Sequence, residues 1–138
     1  MSFLLDTNTI SEWQKPLPNP GLTAWTDSTD EEDLFLSVVT LAELRYGVER
    51  MAAGSRRRRY EKWLEHDLPV RFEGRMLPVT QGIADAWGRI VALCASGGKT
   101  ISVIDGFLAA TADVHRLTLV TRNVQHFTVL KTVLNPWT

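Results

Sequence analysis

Phe3-Leu4-Leu5-Asp6-Thr7-Asn8 is an unbroken apolar run closed by a carboxylate and then by residues with turn and cap chemistry. A run that is apolar on both faces reads as a strand buried within a parallel sheet. In open parallel sheets ligands bind just beyond the carboxyl ends of the strands, which is where Asp6 stands. Two further acids have similar placements. Leu34-Phe35-Leu36-Ser37-Val38-Val39 reads as a second buried strand and leads into Thr40-Leu41-Ala42-Glu43, while Ser102-Val103-Ile104-Asp105 opens a later helix.

Working outward, Thr7 to Thr9 should start a short helix, after which Pro16, Pro18 and Pro20 enforce an extended connection. A short helix is expected from Gly21 to Ser28. Thr40 is expected to open a helix over residues 41–53, with Leu41, Leu44, Val48 and Met51 on one face and Gly54 as its stop. A second helix, Arg56 to Leu68, should end at Pro69. Met76 to Val79 reads as an edge strand because Pro78 lacks a ladder donor. Ile83, Ala86, Trp87, Ile90, Val91 and Cys94 recur at helical spacing up to Gly97-Gly98, and another helix is expected from Val103 to His115. Residues 117–121 and 132–134 return to strand. This alternation predicts a three-layer α/β fold, a mainly parallel central sheet flanked by helices, in one domain over residues 1–138.

The 138 residues are 44% hydrophobic and 22% charged, enough for one core and too few for two domains. Cys94 is the only cysteine, so no disulfide forms within the chain and a buried thiol is expected. With no basic leader and no apolar stretch of membrane-spanning length, a soluble cytoplasmic protein without membrane contact is expected. A net charge of −1 supplies no global basic field, so nucleic-acid binding has to come from local patches and bound cations.

Magnesium and manganese prefer hard oxygen ligands, so three acids at strand ends and helix starts fit a nuclease or phosphatase centre. Zinc fits poorly. His66, His115 and His126 are scattered, and no His-Glu-x-x-His pattern occurs. The structural alternative is capping: Thr40-x-x-Glu43 and Ser102-x-x-Asp105 both match the capping box, a role compatible with metal binding. Asp6, immediately after a buried strand, has less structural reason to be there.

The segments Leu5-Asp6-Thr7-Asn8-x-Ile10-Ser11, Thr40-x-Ala42-Glu43-Leu44-x-x-Gly47, Asp105-x-x-x-Ala109-Ala110-Thr111-Ala112 and Leu119-Val120-Thr121-Arg122-Asn123, in this order and followed by Asn135-Pro136-Trp137, resemble the PIN-domain ribonuclease toxins of the VapC and FitB type. The resemblance extends from residue 5 to residue 137. It implies a toxin of a bacterial toxin-antitoxin pair: an endoribonuclease in which Asp6, Glu43 and Asp105 hold Mg2+ or Mn2+ and a cation-activated water hydrolyses RNA phosphodiester bonds to leave a 5′ phosphate and a 3′ hydroxyl. Many relatives carry a fourth acid after the last strand. Here Asn123 occupies that place and offers a neutral carbonyl oxygen, with His126-Phe127 where an aspartate before an aromatic residue is also common. One firmly held ion is therefore expected. Thr7, Asn8 and Thr121 are candidate supporting donors, and Arg122 a candidate phosphate contact. The implied partners are RNA, a cognate antitoxin and a second copy of the chain, with operator DNA reached only through the antitoxin.

Four arginines, Arg56 to Arg59, point around a helix circumference and cannot all face one RNA strand. Near a helix N-terminus they oppose the macrodipole, which calls for outside compensation by RNA, an acidic antitoxin segment or another subunit. Helical spacing assigns Trp63 and Trp87 to packing. Gly97-Gly98-Lys99-Thr100 echoes a P-loop, but Leu93 stands where its first glycine belongs and a helix precedes it. Two competing functions are a catalytically degenerate PIN-fold RNA- or protein-binding module, favoured by Asn123, and an aspartate-nucleophile phosphatase built on Asp6-Thr7-Asn8-Thr9. In the phosphatase reading, Asn8 stands where the proton donor belongs.

Overall fold

A computed structural model describes all residues, 1–138. Its strands are β1 (Phe3–Leu5), β2 (Leu34–Ser37), β3 (Met76–Leu77), β4 (Thr118–Val120) and β5 (Val133–Leu134), all parallel and ordered β3-β2-β1-β4-β5. The chain fills the sheet outward from β1 to one edge, then returns to the other side of β1. Strand order therefore reverses between β1 and β4, the position at which such sheets open a crevice at their carboxyl ends.

Side chains alternate across the short strands and divide the core in two. Phe3, Leu5, Leu34, Leu36 and Val120 face one layer, formed by α1 (Thr7–Trp13), α3 (Val38–Glu49) and the helical stretch that carries Leu64 and Leu68. Leu4 and Leu119 face the other, formed by α6 (Gln81–Ser96) and α7 (Val103–His115). The remaining helix of the first half, α2 (Pro20–Asp27), carries Pro20 in its first turn and is capped by Asn19. The three-layer parallel architecture read from the sequence is the observed one, and Met76–Leu77 is indeed an edge strand.

Local chemistry corrects several boundaries. The second strand stops at Ser37, whose hydroxyl accepts the Val39 N–H at 3.0 Å, so the helix starts at Val38, Thr40 lies buried inside it, and the Thr40-x-x-Glu43 capping box does not form. This helix ends at Glu49, short of Ala53. Pro69 does not end the following one. α4 (Ser55–Lys62) runs through a π turn, Trp63–Asp67, into α5 (Leu68–Arg71). The Leu68 N–H bonds five residues back to the Trp63 carbonyl, and this wider turn accommodates a proline that has no N–H to give. Cys94 is half-buried, at the margin of the core. Trp87 packs as expected, stacking on Phe107 at 5.4 Å and donating to the Val103 carbonyl. No helix is long and apolar enough to cross a membrane.

Candidate metal centre

Asp6 follows β1 and is the N-cap of α1: its Oδ1 accepts the Thr7 N–H at 2.7 Å. It thus has the structural role that its position after a strand did not suggest. Its other oxygen, Oδ2, accepts the Thr121 hydroxyl at 2.7 Å and the Asn8 amide at 3.4 Å. Thr121 directly follows β4, so this bond spans the switch point between two adjacent strands. The Asp6 N–H continues the ladder to the Val120 carbonyl at 2.9 Å. Thr121 is fully buried and also accepts the Asn123 N–H at 3.0 Å and the Asn8 amide at 3.3 Å.

Glu43 comes from the second turn of α3. The Thr7 hydroxyl donates to its Oε1, and the Thr40 hydroxyl lies 3.4 Å from that of Thr7. Asp105 stands in the first turn of α7, where the Ser102 hydroxyl accepts its N–H at 3.1 Å; the cap expected at this helix start does form. Its carboxylate is 21% exposed and faces His126, with Oδ2 3.2 Å from Nδ1.

The three acids share one electrostatic field. Burial pushes the Asp6 carboxyl above its ordinary value, hydrogen bonds from Thr121 and Thr7 oppose the rise, and the charge of Asp105 adds to it. Glu43 is also raised, chiefly by burial and then by Asp6 and Asp105, against the Thr7 hydrogen bond. A divalent cation is the natural counter-charge, and an all-oxygen donor set suits magnesium or manganese. As the side chains lie, however, no three of the acidic, histidine or cysteine residues form a closed ligand cluster. Glu43 is held by Thr7 and Asp105 faces His126.

The supporting residues separate by role. Thr7, Asn8 and Thr121 touch the acids directly. Asn123 is half-buried at the start of the 3-10 turn Val124–Phe127, which its side chain does not cap; it reaches Asp6 only through its backbone bond to Thr121. Arg122 is exposed, and its N–H donates to Asn8 Oδ1 at 3.4 Å. His126 meets Asp105 directly, whereas Asn123 has no hydrogen bond to any of the three acids. Its neighbour Phe127 is buried in the core and fixes that turn, so the His-Phe pair was the available signal. Thr40 was hidden by its reading as a cap. A cleft of about 380 Å3 adjoins Asp105, lined among others by Lys99, Ser102, Gln125, His126 and Thr128.

Comparison with known proteins identifies the family. The PIN domain family model matches residues 3–130. Toxin FitB of Neisseria gonorrhoeae is 41% identical over 136 residues, 98% of each chain. VapC ribonuclease Y4jK of Sinorhizobium fredii is 37% identical over 98% of this chain and 97% of its own. Among solved structures, FitAB bound to an IR36 DNA fragment superposes with a TM-score of 0.92 at 38% identity, over 99% of this chain and 96% of that one. With the family model spanning the first four strands and all three acids, and with relatives matched along nearly their whole length, this chain belongs to the PIN-domain family, in the branch of the FitB and VapC toxins.

Proposed function

We propose that this chain is the toxin of a toxin-antitoxin pair and acts as a divalent-metal-dependent endoribonuclease. The observation that carries the reading is the placement of Asp6 at the switch point of a parallel sheet, with Glu43 and Asp105 near enough for their charges to add to the burial that raises the Asp6 and Glu43 pKa values. Such buried negative charge is costly unless a cation or protons relieve it. The names of the FitB and VapC relatives, a toxin and a ribonuclease, support the same conclusion.

In this reading Asp6 and Asp105 hold Mg2+ or Mn2+, and Glu43 coordinates the ion or orients the attacking water. When bound, the ion supplies Lewis-acid polarisation of the phosphate and eases deprotonation of water. The chain's own residues perform the remaining work. Thr121 and the Thr7 N–H keep the Asp6 carboxylate oriented and, by donating to it, favour its ionised form. Asn8 links Asp6 to Thr121 and to the Arg122 backbone, leaving the exposed Arg122 side chain available to a phosphate. Asn123 contributes no charge, which favours a single firmly held ion. Because the Asn8 amide donates toward Asp6, it offers no acid for an aspartate-nucleophile phosphatase.

The partners follow from the same reading: RNA as substrate, a cognate antitoxin, and a second copy of the chain. The FitAB relative was solved bound to DNA, which supports operator contact by way of the antitoxin. The test is cleavage of total RNA by antitoxin-free protein with magnesium, manganese or chelator, beside Asp6→Asn and Asp105→Asn, with product ends mapped. Metal-dependent cuts leaving 5′ phosphates, absent in both variants, are the expected result. No cleavage with RNA binding retained overturns the enzyme in favour of a binding module, the reading that the neutral Asn123 supports.

A further inference from the structure

The four consecutive arginines are not equivalent in the fold. Arg57 points toward α3, where it bonds Glu61 at 2.8 Å, Glu49 at 3.3 Å and the Met51 carbonyl at 3.0 Å. It ties α4 to α3 and also supplies internal compensation for charge near the helix start. Arg56 and Arg59, three residues apart and so on one helix face, have no carboxylate partner. Together with Lys15, Lys62, Tyr60 and Trp63 they line an open groove of about 510 Å3.

This groove leads toward Glu43 and the Thr7 that holds it. A neighbouring cleft of about 340 Å3 shares Lys15, Arg56, Tyr60 and Trp63 with it and is also lined by Thr7 and Glu43. Arg56, Arg59 and Lys62, none with a carboxylate partner, outnumber the one lining acid, Asp67, and make the groove basic in a chain whose net charge is −1. Lys15 is held in place by Glu12 at 2.9 Å, and the Arg56 guanidinium lies 5.7 Å from the Tyr60 ring centre. Tyr60 and Trp63 are both half-buried: each packs against the core, as helical spacing assigned for Trp63, and also lines the groove.

We propose that this groove is the track for single-stranded RNA entering the metal centre, with Arg56 and Arg59 on its phosphates and Tyr60 and Trp63 beside its bases. The charge pattern selects a polyanion, and the aromatic rings within it favour unpaired bases over an acidic peptide. The inference rests on the ribonuclease reading for what happens at the end of the track, but not for binding.

The test uses the full chain carrying Asp105→Asn, in magnesium, titrated with a fluorescent single-stranded RNA of mixed sequence across a range of salt concentrations. Arg56→Gln with Arg59→Gln should bind roughly tenfold more weakly and lower the salt slope by about 1.4, near 0.7 for each phosphate that is no longer neutralised. Arg56→Lys with Arg59→Lys should retain most binding. Arg58→Gln, the same type of charge removal at an exposed position outside the groove, should match the parent. Parity between the Arg56/Arg59 glutamine variant and Arg58→Gln overturns the track, as does displacement of the RNA by polyglutamate at equal charge concentration. The two readings fail separately. Wild-type cleavage with an unaffected glutamine variant sinks only the track, whereas groove-dependent binding without any cleavage sinks only the nuclease.

Discussion

Thr121→Val tests the anchoring of Asp6 with little steric disturbance, since it removes one hydroxyl and keeps the volume and branching of the side chain. Thr121 is fully buried, and its hydroxyl donates to Asp6 Oδ2 at 2.7 Å. A hydrogen bond to an ionised acceptor contributes about 1.5–3 kcal/mol. The Asn123 N–H and the Asn8 amide that Thr121 accepts belong to half-buried residues with access to water, so their loss adds little. The expected cost is about 2 kcal/mol at neutral pH, or a fall in Tm of about 8 °C for a chain of this size. The pH dependence has a definite sign. Thr121 opposes the burial that raises the Asp6 pKa, so the variant's Asp6 titrates higher still. Its deficit is then largest where Asp6 is ionised in the native protein and shrinks as acid protonates it in both proteins. Urea unfolding without divalent ions, at neutral pH and near pH 4, measures both quantities. Equal deficits at the two pH values, or a neutral-pH loss under about 0.5 kcal/mol, would refute the claim that this hydroxyl serves the Asp6 charge.

Because the Asp6 and Glu43 pKa values are both raised, the native state binds protons more tightly than the unfolded chain. Metal-free stability should fall as pH rises from the ordinary carboxylate range through the raised native values, and magnesium should suppress that fall; identical Tm profiles with magnesium and with chelator would contradict it. Gly106→Ala, normally favourable in a helix, should cost about 1–3 kcal/mol, because its Cβ would lie 2.6 Å from Trp87 Nε1. A raised Tm for this variant would show that Trp87 yields freely. Asn19→Ala removes the acceptor for the Gly21 and Leu22 N–H groups and a donor to the Thr138 carbonyl, so about 1 kcal/mol should be lost and the C-terminus should become sensitive to carboxypeptidase. Unchanged stability and protection would remove the cap from the account.

Particular residues show where reading the chain locally worked and where it failed. The apolar run before Asp6 marked a buried strand because burial on both faces removes polar alternation. Ser37 and Thr40 were interchangeable as caps by residue type, and only the end of strand pairing at Ser37↔Leu77 chose between them. Pro69 read as a stop because proline ordinarily breaks the hydrogen-bond ladder, whereas the buried anchors Leu64 and Leu68 favour continuing through a π turn.

By itself, then, the sequence determined the alternation of strands and helices, the parallel three-layer class, and the placement of Asp6 and Asp105 at element junctions, all of which follow from short-range periodicity and side-chain chemistry. Tertiary structure decided which of those residues meet. The Asp6–Thr121 bond joins positions 115 residues apart and exists because β4 returns beside β1. The same long-range packing brings His126 to Asp105 and separates Arg57, bound to α3, from Arg56 and Arg59 in the open groove. No local pattern specifies such neighbours, because they depend on the order in which strands assemble and on which helix faces are buried against one another.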